Sequence, residues 1–135
     1  MAQQRKTANS GSPFEPTIGF SRAVRVGDHV AVSGTAAIGE NGETVGADDV
    51  YAQSVRCLDI AEQALTQVGA SLDDVVRTRI MLTDMARWDA AARAHGERFA
   101  TIRPASTFVE VSAFIDPSWL VEIEVDAIVR SEGGT

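Results

Sequence analysis

From Val121 to Val129 the side chains alternate with a period of two, the pattern of a strand buried on one side. Val121, Ile123, Val125, Ala127 and Val129 fall on one face; Glu122, Glu124 and Asp126 fall on the other, beside Ile128. Carboxylates placed side by side repel one another. Either this face is solvated, or it looks into a polar interface or cleft where cations or bound ligand groups offset the charge. A second alternating run, Arg103-Pro104-Ala105-Ser106-Thr107-Phe108-Val109-Glu110-Val111, precedes it across a turn at Asp116-Pro117.

Everything upstream is read against this closing pair. Residues 1–12 are rich in Gln, Lys, Ser, Asn and Gly and are expected to be a flexible arm. Pro13 to Phe20 reads as an ordered loop placed to lie over a pocket. Ser21–Val26 and His29–Thr35 read as strands joined by a tight Gly27-Asp28 hairpin turn. The second ends in Val32-Ser33-Gly34-Thr35, where the glycine marks a bulge or a close approach to the backbone. A helix follows the Asn41-Gly42 turn, capped by Asp48 or Asp49, with Tyr51, Val55, Leu58, Ala61, Leu65 and Val68 on its apolar stripe and Gly69 as its stop. Cys57 reads as inert packing within that helix.

Val75–Thr83 is the next strand, with Val76, Thr78, Ile80 and Leu82 on one face and Arg77, Arg79, Met81 and Thr83 on the other. Its arginine face complements the acidic face of the final strand, and Arg79 is expected to partner the carboxylate row. Asp84 caps a second helix running to about Phe99, with His95 at a helix interface. The order is β-β-α-β-α-β-β. It predicts an α+β fold, a two-layer mixed sheet with both helices on one face, in a single domain spanning residues 13–130 with a flexible tail at 131–135. The other sheet face should carry Arg77, Arg79, Ser106, Glu110, Glu122, Glu124 and Asp126, mixed with Phe108 and Ile128. That mixture is too apolar for open water and too charged for a closed core. A symmetric oligomer packed around this face resolves the conflict, so the protein is expected not to be a monomer.

Composition removes several functional classes. Among 135 residues the formal net charge is −7, which opposes binding to a phosphate backbone or an anionic membrane surface. One cysteine and two histidines, His29 and His95, exclude a cysteine framework and a histidine-rich metal site, so no metal or cofactor is expected. No apolar run approaches the roughly 20 residues that span a bilayer, and the first residues carry no apolar signal core, which together predict a cytoplasmic protein. Walker, dinucleotide, HExxH, CxxC and nucleophile-elbow patterns are all missing. What remains is a cleft holding carboxylates, the hydroxyls of Ser33, Thr35, Ser106 and Thr107, and backbone donors around Gly34. Such a set suits water activation on a small carbonyl or imine carbon.

Val32-Ser33-Gly34, Val75 to Asp84 with its following helix, Arg103-Pro104-Ala105, Val109-Glu110-Val111 and Val121-Glu122-Ile123-Glu124 together resemble the Rid family, the reactive intermediate deaminases, also called the YjgF family. The resemblance covers about Phe20 to Val129. It implies a chorismate-mutase-like fold, a homotrimer, and a small-ligand cleft at each subunit interface. It also implies hydrolysis of 2-imino or enamine acids to 2-keto acids and ammonia without a cofactor. Some members are described as endoribonucleases of the L-PSP type.

Carried over by position, Glu122 matches the acid that helps place the hydrolytic water, and Ser33 with Gly34 matches the serine-glycine pair of the second strand. Thr107 matches a position usually held by cysteine or threonine. Phe20 stands where a tyrosine is usual, and Ser106 stands where active deaminases carry the arginine that grips the substrate carboxylate. Serine offers no equivalent of the paired charge-assisted bonds of arginine. Losing such a contact is worth roughly 1.5–3 kcal/mol. Arg79 or Arg103 would have to replace it, or the substrate carries no carboxylate. Three readings follow: a Rid-type hydrolase of small imines, enamines or related carbonyl compounds; a trimer that binds a small ligand or partner without turnover; and an endoribonuclease, which the acidic charge opposes.

Overall fold

The computed structural model describes residues 4–130, in which the alternating segments become one six-stranded mixed sheet. Its strands are β1 (Arg5–Ala8), β2 (Ala23–Val26), β3 (His29–Thr35), β4 (Val75–Leu82), β5 (Ala105–Glu110) and β6 (Val121–Ile128). Helices α1 (Val50–Gln67) and α2 (Trp88–Phe99) complete the α+β architecture. The sheet order is β1-β2-β3-β6-β4-β5. The final strand therefore lies inside the sheet, antiparallel to both β3 and β4, and only β4 and β5 run parallel.

β1 corrects the expectation of an arm over residues 1–12. Arg5 to Ala8 pairs antiparallel with Val26 to Ala23, and Ala8 is fully buried. The segment Arg5-Lys6-Thr7-Ala8 has no apolar alternation, so period alone cannot reveal it. Backbone pairing holds it instead, and both the amide and the carbonyl of Asn9 bond to the Gln67 side chain at 3.1 and 3.0 Å. The expected tail at 131–135 lies outside the described residues.

The apolar side of β6 forms the floor of the core: Val121, Ile123, Val125 and Ala127 are all buried. Leu58, Ala61 and Leu65 of α1 and Ala91, Ala94 and Phe99 of α2 also join this core. Asp49 caps α1 by accepting from the Ala52 amide at 3.0 Å, and Gly69 ends it in the left-handed region at φ +80°. Cys57 is fully buried, and burial pushes its thiol well above the ordinary range, so it stays protonated and unreactive. α2 follows a 3₁₀ turn at Met85–Arg87, where the Asp84 side chain accepts from the Ala86 amide. His95 sits 2.8 Å from the Thr78 hydroxyl and against the Phe99 ring, and burial lowers its pKa below the usual histidine value.

Two placements differ from the alternation read in the sequence. A register shift between Val75 and Arg77 puts Val75 in the core and leaves Val76 43% exposed. Ser106, Phe108 and Glu110 lie on the helix side of β5, not the open side. Ser106 accepts from the Thr78 hydroxyl at 2.8 Å, Phe108 packs edge-on against Trp88, and Glu110 accepts from the Met85 amide. Parallel pairing is responsible: it sets Ser106 beside Thr78 and Thr107 beside Arg79. The open side of the sheet thus carries Thr107 with the charged row. There Arg79 bonds to Glu124, and Arg77 lies 3.9 Å from Asp126. The matching of arginines to the carboxylate row is as the sequence suggests, and both arginines are engaged.

Candidate functional site

The first position of the acidic row, Glu122, behaves differently from its neighbours. Glu124 and Asp126 face arginines, whereas none of the described hydrogen bonds or ion pairs includes the Glu122 carboxylate. It lies instead against β3, where the register shifts between Val32 and Thr35. That bulge carries Ser33 and Gly34. A Cβ on Gly34 would stand 2.7 Å from the nearer Glu122 oxygen, so the bare glycine is what lets the carboxylate lie over the strand. Bulge and close approach are therefore both present at Gly34. Burial pushes the Glu122 carboxyl above the ordinary glutamate range; Arg22 draws it back, and Glu124 adds a smaller push upward.

Around this carboxylate opens a cleft of about 270 Å³, also lined by Phe20, Ser33 and Gly34. Its remaining wall is largely apolar: Phe14, Ile18, Ile38, Ile115 and Trp119. Phe14 and Trp119 meet edge to face with centroids 5.8 Å apart. The segment from Pro13 to Phe20 does border the cleft, as a single π-helical turn over Glu15–Gly19 closed by the Phe20 amide on the Glu15 carbonyl at 2.9 Å. The opposite wall is the loop that carries Ile115 and Trp119. Gln53, fully buried on α1, holds that loop by donating to the Ser118 carbonyl and accepting from the Leu120 amide.

Beneath the cleft lies an ion pair that sequence reasoning missed. Arg22 is 5% exposed and Glu15 is 2% exposed, with Nε to carboxylate at 3.0 Å. Arg22 Nη1 also donates to the Gly34 carbonyl at 2.6 Å and to Thr35 Oγ1 at 3.2 Å. Glu15 accepts further bonds from the Ser10 amide and hydroxyl. This chain of contacts joins the amino-terminal segment, the bulge and the cleft floor. Phe20 packs against the Arg22 guanidinium, 5.2 Å from ring centroid to Cζ. No periodicity or motif marks a buried arginine–glutamate pair seven residues apart across a loop. In the sequence Glu15 falls within the Pro13–Phe20 loop and Arg22 within the Ser21–Val26 strand.

Phe20, Ser33, Gly34 and Glu122 are thus gathered in one cleft of one chain. Ser33 donates to the Ser21 carbonyl at 2.7 Å, so its hydroxyl oxygen keeps its capacity to accept. Arg79, Arg103, Ser106 and Thr107 are not gathered there. Arg79 is held by Glu124. Thr107 and Ser106 belong to β5, which is separated from β6 by β4. Arg103 precedes β5 with a positive φ of 55° and is exposed. Among the described residues no three His, Cys, Asp or Glu side chains gather as a metal-binding group.

A family model described as endoribonuclease L-PSP matches residues 11–129. An uncharacterized protein of Streptomyces coelicolor is 39% identical over 122 residues, covering 90% of each chain. A RutC family protein of Pyrococcus abyssi is 32% identical over 127 residues, covering 93% of this chain and 94% of its own. Among solved structures, a member of the YjgF/YER057c/UK114 family from Mycobacterium tuberculosis superposes with a TM-score of 0.85 at 48% identity, covering 93% of this chain and all of that one. The YjgF gene product of Escherichia coli gives 0.80 at 25% identity, covering 93% of this chain and 99% of its own.

Proposed function

This chain belongs to the endoribonuclease L-PSP family, the YjgF or Rid proteins, and from that premise we infer that it is a cofactor-independent hydrolase of small imines or enamines, working as a homotrimer. The observation that carries this reading is Glu122: a half-buried carboxylate with raised proton affinity, free of partners among the described residues, and aimed into an apolar cleft. A carboxyl whose pKa is lifted towards neutrality is a better general base than an ordinary glutamate. In this reading Glu122 takes a proton from water as the oxygen adds to the imine carbon. It passes that proton to nitrogen, giving a carbinolamine, and then carries the hydroxyl proton to the amino group as the C–N bond breaks, leaving a carbonyl compound and ammonia. Ser33 and the backbone at Gly34 position the substrate. The trimer is supported by the open sheet face, whose charged row and exposed Ile128 suit burial against further copies. Cytoplasmic placement belongs to the same proposal; no helix among the described residues is long and apolar enough to cross a membrane.

Two measurements test this. Light scattering at micromolar concentration should return the mass of three 14.4 kDa chains; the mass of one chain would remove the shared interface. Ammonia release from imines generated in solution should exceed the uncatalysed rate. Gly34→Ala sharpens the assay, because its methyl group would push the Glu122 carboxylate aside. Activity should fall about 100-fold with the melting temperature little changed, the scale on which a misplaced catalytic group acts.

A second reading, a trimer that holds its ligand without turnover, is favoured by one observation. Ser106, at the position of the family's carboxylate-gripping arginine, faces Thr78 and the helices and offers the cleft no cation. Ligand-induced stabilisation without ammonia release would select it. RNA cleavage, suggested by the family's description, runs against the net charge of −7 and the acidic open face.

A further inference from the structure

The walls of the cleft and its charges restrict what it can accept. On the apolar side, Phe14, Ile18, Ile115 and Trp119 surround the approach to Glu122, and Ile18 and Ile115 are 58% and 65% exposed. Large aliphatic side chains left open at the mouth of a cleft gain when a ligand covers them, by about 25 cal/mol for each Å² removed from water. At about 270 Å³ the cleft falls near the lower end of ligand sites, roughly 300–1,000 Å³, so one ring or one branched chain fills it.

The charges point the same way. Arg22, the one cation lining this cleft among the described residues, has its Nε bound to Glu15 and its Nη1 bound to Gly34 and Thr35. Its charge is already matched by a buried carboxylate. The group next presented to a ligand is Glu122, which repels an anion. Arg79 and Arg77, the nearest cations on β4, face Glu124 and Asp126. Among the described residues of this chain no unmatched positive group lines the cleft to meet a substrate carboxylate, and a like charge lies beside it. A protonated imine, by contrast, is a cation and is attracted by Glu122.

We propose that the cleft selects an imine that carries no carboxylate and bears one aromatic or branched apolar substituent, in preference to a 2-imino acid. The substituent lies among Phe14, Ile115 and Trp119, and the C=N carbon lies at Glu122. This rests on the hydrolase reading for its chemistry but not for its selectivity. The balance is simple: R–CH=NH and H₂O give R–CHO and NH₃, with no oxidant, reductant or co-reactant.

Four imines form the test, made in solution by amine or amino-acid oxidation: ethanimine, 2-phenylethanimine, 2-iminopropanoate and 2-imino-3-phenylpropanoate. They vary the ring and the carboxylate independently. 2-Phenylethanimine should show kcat/KM at least about tenfold above each of the other three, the discrimination expected from filling an apolar pocket. Ile115→Asn should erase most of the advantage over ethanimine. A binding experiment proceeds alongside with stable amides. 2-Phenylacetamide should raise the melting temperature, whereas acetamide and phenylacetate should not. Equal rates with and without the ring, or an imino acid favoured over its carboxylate-free counterpart, overturn the proposal. So does a carboxylate preference lost in Arg103→Ala, which would show an anchor supplied across the trimer. If phenylacetamide binds selectively while no imine is hydrolysed, the selectivity stands and the hydrolase reading falls. If all four imines are hydrolysed alike, the hydrolase reading stands and the selectivity falls.

Discussion

Glu122→Gln should lower imine hydrolysis by about 10²- to 10⁴-fold, the usual contribution of a positioned general base. The fold should survive, because glutamine has the same shape and Glu122 makes no described bond that the substitution would break. Stability should respond to pH in a definite direction. Burial raises the Glu122 pKa in the folded protein above its value in the unfolded chain. Its contribution is therefore fully present below the unfolded value and is lost as pH rises through the folded value. At neutral pH the folded protein holds an unfavourably buried carboxylate that glutamine lacks. Measured by urea denaturation, the variant should gain stability relative to the parent between pH 4 and pH 7. The parent's activity should decline as pH falls through the raised pKa, when Glu122 becomes protonated. A variant that keeps full turnover would remove Glu122 from the reaction. A variant whose relative stability does not change with pH would remove its burial as the cause of the shift.

Arg22→Ala should be the more damaging change to the molecule itself. It leaves Glu15, 2% exposed, without its cation, and removes the donors to the Gly34 carbonyl and Thr35. Removing one member of a buried ion pair costs about 3–5 kcal/mol, because the remaining charge stays desolvated. That is a large share of the 5–15 kcal/mol that holds a typical domain together. The double variant Arg22→Met with Glu15→Leu separates the charge from the packing. It should recover much of the loss, since apolar replacement of both partners leaves no orphaned ion. If Arg22→Ala unfolds in urea at the parent's midpoint, the pair does not hold the cleft floor.

How far the cleft could be read from sequence depends on which physical signal each residue carries. β6 was legible because five apolar residues alternate with acids, and Arg79 was legible because complementary charges fell at matching parity on the neighbouring strand. Gly34 was legible as a place where a side chain is excluded. Ser106 was misplaced for a clear reason. Two separated strands can be placed on one sheet with their faces undetermined until the pairing register is known, and a one-residue change of register exchanges the faces. The bulge at Val76 is an equivalent loss of phase within a single strand. Arg22, Glu15 and Gln53 were invisible because buried polar residues gain their partners only from tertiary structure. Nothing in the local sequence distinguishes an arginine at the surface from one that holds a loop to a bulge. β1 escaped notice because its four residues are fixed by backbone pairing and by Gln67 of α1 rather than by an apolar pattern.

The short first strand gives the amino end of the chain a mechanical role. Arg5 to Ala8 is stitched to β2, and two residues later Ser10 holds Glu15, which holds Arg22 beneath the cleft. Pulling, trimming or fusing at the amino end thus acts on a short lever whose other arm is the binding wall formed by Phe14 and Phe20. A purification handle placed at the opposite end of the chain leaves that lever untouched.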